Sequence, residues 1–126
     1  MTVLLVLAGG AVGAPARWAV DRWVQARHGT GLPWGVFVVN VLGSLILGLA
    51  AGAAAGGALA GWVLTLVGTG FCGALTTYST FAYETVLLAE RRAWAQAVLN
   101  VALSLAVGLA ACSSGWWVGL TLADLG

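Results

Sequence analysis

Four long apolar runs, almost free of charge, restrict this chain to one environment. They cover about residues 3–24, 34–55, 61–88 and 93–120. Each reaches the roughly 20 apolar residues that cross the ~30 Å hydrocarbon core of a bilayer. Only 7% of the residues are charged, against about 25% in a soluble domain, so a water-facing surface could not be covered. The expected fold is an all-α membrane protein, a single integral domain over residues 1–126 with four transmembrane helices.

The gaps between the runs carry the breaker residues. Gln25 to Pro33 is a loop by its Gly, Pro and charge content, Gly56-Gly57 marks the second connection, and Glu90-Arg91-Arg92 the third. Trp23, Trp34, Trp62, Trp94, Trp116 and Trp117 fall near the proposed span ends, where amphipathic rings settle at the headgroup level. Arg22, Arg27, Arg91 and Arg92 lie in or beside the first and third loops, while the second has no basic residue. The positive-inside rule makes the basic side cytoplasmic and puts both termini outside.

Within the third run the helix is expected to break near residues 73–77. Gly68, Gly70 and Gly73 are followed by Thr76, Thr77, Tyr78, Ser79 and Thr80, a poor recipe for an unbroken helix. A non-helical backbone at membrane depth is tolerated where it is buried in protein or lines a polar cavity, so the break points to a site. Carbonyls ending the first half-helix suit a cation, and free N–H groups starting the second suit an anion. Tyr78 and Phe81 have mildly positive ring edges that suit a small anion, although this spacing more often serves core packing.

Two polar stripes accompany this break. Asn40, Gly43, Ser44 and Gly48 share one face of the second span, and Asn100, Ser104 and Gly108 recur every four residues on the fourth. Interhelical polar glue, worth about 0.6 kcal/mol per bond, explains one Asn; two stripes plus a hydroxyl-rich break look more like the walls of a narrow hydrophilic track. Gly9-x-x-x-Gly13, Gly52-x-x-x-Gly56 and Gly115-x-x-x-Gly119 have the spacing of close helix approach in lipid. Four helices are few for enclosing a pore, so self-association is expected.

Arg17 and Glu84 are charged groups placed well inside the spans. Arg17, just after Pro15, costs roughly 2.5–3.5 kcal/mol at depth. It either snorkels outward with Asp21 one turn on, anchors buried carbonyls, or sets a positive field at a pore mouth. Glu84 follows the break and is either the coupling group of a proton-driven transporter or a carboxylate held by Thr80 or Thr85 near the span end. Cys72 and Cys112 read as packing residues with no disulfide, and His28 as a surface loop residue. No signal peptide, catalytic constellation or nucleic-acid partner is expected.

Residues 70–81, Gly-Phe-Cys-Gly-Ala-Leu-Thr-Thr-Tyr-Ser-Thr-Phe, resemble the third-helix signature of the Fluc/CrcB fluoride channels. Residues 9–17, Gly-Gly-Ala-Val-Gly-Ala-Pro-Ala-Arg, and the Pro33 to Ser44 stretch are similar to its first- and second-helix motifs. The resemblance implies a passive, fluoride-selective channel of the cell membrane that exports cytoplasmic fluoride. It further implies an antiparallel, dual-topology homodimer with two pores and a structural sodium ion at its centre. The sodium would be held by the backbone carbonyls of Gly73 and Thr76. The fluoride path would involve Asn40, Thr77, Tyr78, Ser79, Phe81, Asn100 and Ser104, with Arg17 and Glu84 as pore-mouth or structural residues. Tyr78 stands where the family usually has Phe, Val36 for a common Thr, and Asn100 for a common Tyr. The arginine bias leaves open pairing with a homologous subunit of fixed orientation. A different class, a small proton-coupled multidrug exporter, would be expected to carry a carboxylate in the first span, where this chain has Arg17.

Overall fold

A computed structural model of the chain describes residues 1–27, 34–76 and 79–125, with the backbone alone at Ser79 and Thr80. Outside short turns the described residues are helical, and there is no strand among them. Helix α1 runs Thr2–Arg27 and α2 Trp34–Ala55. The third stretch opens as α3, Gly61–Leu64, widens into a π-helix over Thr65–Cys72 and returns to α geometry in α4, Gly73–Leu75. Helix α5 is Ser79–Glu90 and α6 Trp94–Leu125.

Helices α1, α2 and α6 are each long and apolar enough to cross a membrane. The Gly61–Leu75 stretch is shorter; at 1.5 Å per residue it reaches at most about 22 Å, less than the ~30 Å core. It therefore needs α5 beyond it to complete a crossing. Large apolar side chains are widely exposed, Trp18 at 65% and Leu109 at 68% among them. That is the inverse of a water-soluble surface, and it suits a bundle whose solvent is lipid. The chain is a multi-pass integral membrane protein.

Both described turns end their helices in the same way. After α2, Gly57 takes a φ of +86°, and the N–H groups of Gly57 and Ala58 donate to the carbonyls of Ala54 and Ala53. After α5, Arg92 takes a φ of 59°, and the N–H groups of Arg92 and Ala93 donate to Ala89 and Leu88. Each is a left-handed cap that satisfies the last orphan carbonyls. Glycine adopts that conformation freely, whereas Arg92 meets the Cβ penalty of about 1–2 kcal/mol. Charge content alone marked Arg91-Arg92 as a turn; the glycine-like geometry at Arg92 has no signal in its side chain.

Close approach of backbones holds the bundle together. A Cβ added at Gly48 or Gly52 on α2 would strike the backbone of Cys112 or Trp116 on α6. Reciprocally, Gly115 and Gly119 of α6 sit against the backbone of Leu45, Leu49 and Ala53 on α2. Glycines 9 and 13 of α1 meet the π-helix in the same manner at Leu66 and Phe71, with Gly70 opposite. Without a hydrophobic drive between helices in lipid, dispersion across such close seams supplies much of the association energy. The small-residue spacings read from the sequence thus act within one chain, on the α2–α6 and α1–π-helix seams. Pro15 lies inside α1 and removes one backbone donor there.

Candidate functional site

The polar stripe of α2 divides between two jobs. Gly48 turns to the α6 seam, while Asn40, Gly43, Ser44 and Leu47 line a cleft of about 410 Å³. The π-helix and its continuation supply Gly68, Cys72, Gly73 and Thr76 to the opposite wall; α5 adds Phe81 and α6 adds Ser104 and Leu105. The cleft is therefore bounded by all the elements except α1 and α3, and its walls mix amide, hydroxyl and apolar groups.

Hydroxyl protons in and around the cleft are mostly committed to the backbone. Ser44 Oγ donates to the Asn40 carbonyl at 2.8 Å, and Thr76 Oγ1 donates to the Cys72 carbonyl at 2.9 Å. This bonding to the carbonyl four residues back is the usual way a hydroxyl is carried within a helix. Ser104 differs. Its Oγ is buried and, among the described residues, has no hydrogen-bond partner. A buried hydroxyl left so costs about 1–3 kcal/mol, and here the residue lines a cleft whose wall is mostly apolar.

The helix wall also changes course beside the cleft. Helix α4 ends at Leu75, and Thr76 takes extended angles, φ −77° and ψ 158°. Gly73 is exposed, with nothing within 4 Å of where a Cβ would stand. Carbonyls in the last turn of a helix lack intrahelical partners, so neutral oxygens of the kind a hard cation takes are concentrated at this point.

Of the residues the sequence singled out, Asn40, Gly73, Thr76, Phe81 and Ser104 are brought together in the lining. Asn100 is placed elsewhere: it is 5% exposed, and its Nδ2 donates to Thr85 Oγ1 at 2.8 Å. That bond ties α6 to α5 one turn away from Ser104. Arg17 is half-buried on α1, which contributes nothing to the lining. Glu84 is half-buried one turn after Phe81, and its Oε2 has no hydrogen-bond partner among the described residues. Thr85 is not its holder, because Thr85 Oγ1 donates to the Phe81 carbonyl at 2.9 Å and accepts from Asn100. Thr77 and Tyr78, the side chains of Ser79 and Thr80, and His28 lie outside what is described. The free thiols Cys72 and Cys112 are buried and half-buried; Cys72 belongs to the cleft wall, a role that its apolar surroundings in the sequence conceal.

Fold and cleft together define a small, multi-pass membrane bundle with a cleft whose mostly apolar wall carries a few amide and hydroxyl groups. The chain belongs to the CrcB family: the family described as CrcB-like protein, Camphor Resistance (CrcB), matches residues 4–116. Among its relatives, the fluoride-specific ion channel FluC 1 of Streptomyces avermitilis is 51% identical over 97% of this chain and 98% of its own length. FluC 1 of Frankia casuarinae is 55% identical over 91% of this chain and 93% of its own length. FluC 1 of Thermobifida fusca is 46% identical over 91% and 92%. The family expected from the three sequence motifs is the one matched.

Proposed function

We propose that this protein is a passive, fluoride-selective channel, and not an enzyme. The observation that carries the reading is the Ser104 hydroxyl, without a partner among the described residues, on a cleft that Asn40 also lines. Fluoride is small and strongly hydrated, so a selective pore replaces its water with fixed donors that hold it weakly enough for release. Ser104 has a proton to give, whereas Ser44 and Thr76 have given theirs to carbonyls. Phe81 contributes an aromatic wall to the same cleft, and ring edges are mildly positive. A membrane potential negative inside drives the anion outward without a coupling ion. Asn100 is assigned to holding α5 on α6, and the pathway to Asn40, Phe81 and Ser104, with Thr77, Tyr78 and Ser79 continuing it.

The working unit is proposed to be an antiparallel pair of chains with two pores, the helix interruption after Leu75 lying at its centre. Gly73 and Thr76 fit a sodium ion there, since they offer neutral carbonyl oxygens, Gly73 stands exposed, and Thr76 leaves the helix. The bound cation supplies a fixed positive charge joining the two subunits. The exporter alternative draws no support from the cleft, because Glu84 is not part of its lining.

The test is efflux from liposomes holding the purified chain alone. Fluoride release with chloride retained is the expected result; equal rates for both anions would sink the proposal. No flux from the single chain, restored by adding a homologous partner, would replace the homodimer with a mixed pair.

A further inference from the structure

One face of α1 is left out of the packing within the single chain. Leu4, Leu7, Ala11, Ala14, Trp18 and Arg22 fall within about 80° of arc on this helix, and all are exposed, Leu4 at 67%, Leu7 at 63% and Trp18 at 65%. The stripe is apolar for about 21 Å, from Leu4 to Trp18, and then ends abruptly in a charge. At that end the Arg22 guanidinium lies over the Trp18 ring, 5.4 Å from its centroid, inside the ~6 Å range of a cation–π contact. The neighbouring carboxylate does not claim it: Asp21 is turned onto the start of α2, against Gly35.

A guanidinium resting on an indole keeps its N–H fork free at the edge, the geometry that receives a phosphate oxygen pair. Indole rings sit at headgroup depth. A phosphate group with a hydrocarbon chain attached matches both halves of this surface. The device recurs at the same helix end, where the Arg27 guanidinium stands 4.6 Å from the centroid of the Trp23 ring, about 140° further round the helix. Arg91 and Arg92, exposed in the turn between α5 and α6, lie at the same end of the bundle by its up-and-down topology.

We propose that the Trp18–Arg22 end of this stripe is a binding site for an anionic phospholipid. The phosphodiester takes the Arg22 guanidinium, and an acyl chain runs along Trp18, Ala14 and Ala11. A zwitterionic lipid brings its own ammonium and gains less from the arginine. Free phosphate reaches the guanidinium but has nothing to lay on the apolar stripe.

The test uses the full chain in detergent, titrated with phosphatidylglycerol or phosphatidylcholine of matched acyl chains, with bound lipids counted by native mass spectrometry. Arg22→Gln is expected to weaken the tightest phosphatidylglycerol site about fivefold, from roughly 1 kcal/mol per interfacial arginine, and to leave phosphatidylcholine unchanged. Trp18→Leu keeps the charge but removes the platform, and is expected to weaken that site about two- to fivefold. Arg91→Gln is expected to leave the site alone. Wild-type phosphatidylglycerol binding by Arg22→Gln would overturn the proposal, as happens if a second copy of the chain covers this face. So would equal losses in Arg22→Gln and Arg91→Gln, which mean diffuse attraction. Displacement of the lipid by excess inorganic phosphate would also overturn it, since the ligand is then the bare anion.

Discussion

Replacing Ser104 with alanine separates a conduction donor from interhelical glue, because the two roles predict opposite pairs of results. Other hydroxyls here are bonded one turn back: Ser44 to Asn40, Thr76 to Cys72, Thr85 to Phe81 and Thr121 to Trp117, all between 2.8 and 2.9 Å. Deleting a bonded hydroxyl forfeits about 0.5–1.5 kcal/mol of stability. Ser104 Oγ is buried without a partner among the described residues, so its removal breaks no such bond and relieves a desolvated polar atom. The expected stability change for Ser104→Ala is therefore between zero and about 1 kcal/mol in the stabilising direction. Conduction should move the other way. A hydrogen bond to an ion is worth about 1.5–3 kcal/mol, and at 1.36 kcal/mol per factor of ten its loss slows passage about tenfold to a hundredfold. Thermal unfolding in detergent and electrode-monitored fluoride efflux from liposomes read the two quantities on one preparation. A variant destabilised by 1 kcal/mol or more that keeps wild-type flux would show that Ser104 is glue, and the donor argument would fail.

Three further outcomes are expected. Phe81→Ile should reduce fluoride efflux at least tenfold while the dimer survives in size-exclusion chromatography; wild-type flux would return Phe81 to a packing role. Gly119→Val places a Cβ against the Leu49 carbonyl and 2.6 Å from the Ala53 nitrogen, and backbone cannot yield as a side chain can. It should lower stability by at least the ~1–3 kcal/mol of ordinary overpacking, measured as a fall in melting temperature. Replacing sodium with a large organic cation should weaken the dimer and abolish flux, both restored on returning sodium; indifference to the cation would remove Gly73 and Thr76 from a metal role.

The sequence reached some parts of this molecule for identifiable reasons. Asn40 and Ser104 were legible because a helix repeats every 3.6 residues, so polar groups at spacings of three and four share a face whatever lies opposite. Asn100 obeys the same spacing as Ser104 yet points its amide at Thr85 on α5; periodicity gives a face, and only packing says which neighbour that face meets. Ser44 was visible as a stripe member, but the direction of its proton toward the Asn40 carbonyl was not. Cys72 reads as filler in its apolar context, and only the packing of the helices puts it on the cleft wall with Thr76.

What the sequence by itself determined is the solvent and the material. Four apolar runs with so few charges belong in lipid, since burial in lipid depends on composition and length, quantities that are local to each segment. The motifs around Gly9, Asn40 and Gly70 likewise identify the family without coordinates. Tertiary structure alone decided which glycines face which backbone, that α2 pairs with α6 through Gly48, Gly52, Gly115 and Gly119, and that Ser104 is the cleft hydroxyl left without a partner among the described residues. A hydrogen bond or a close approach is a relation between segments, fixed only when the helices are packed. That is why the state of the Ser104 hydroxyl was beyond the reach of any pattern along the chain.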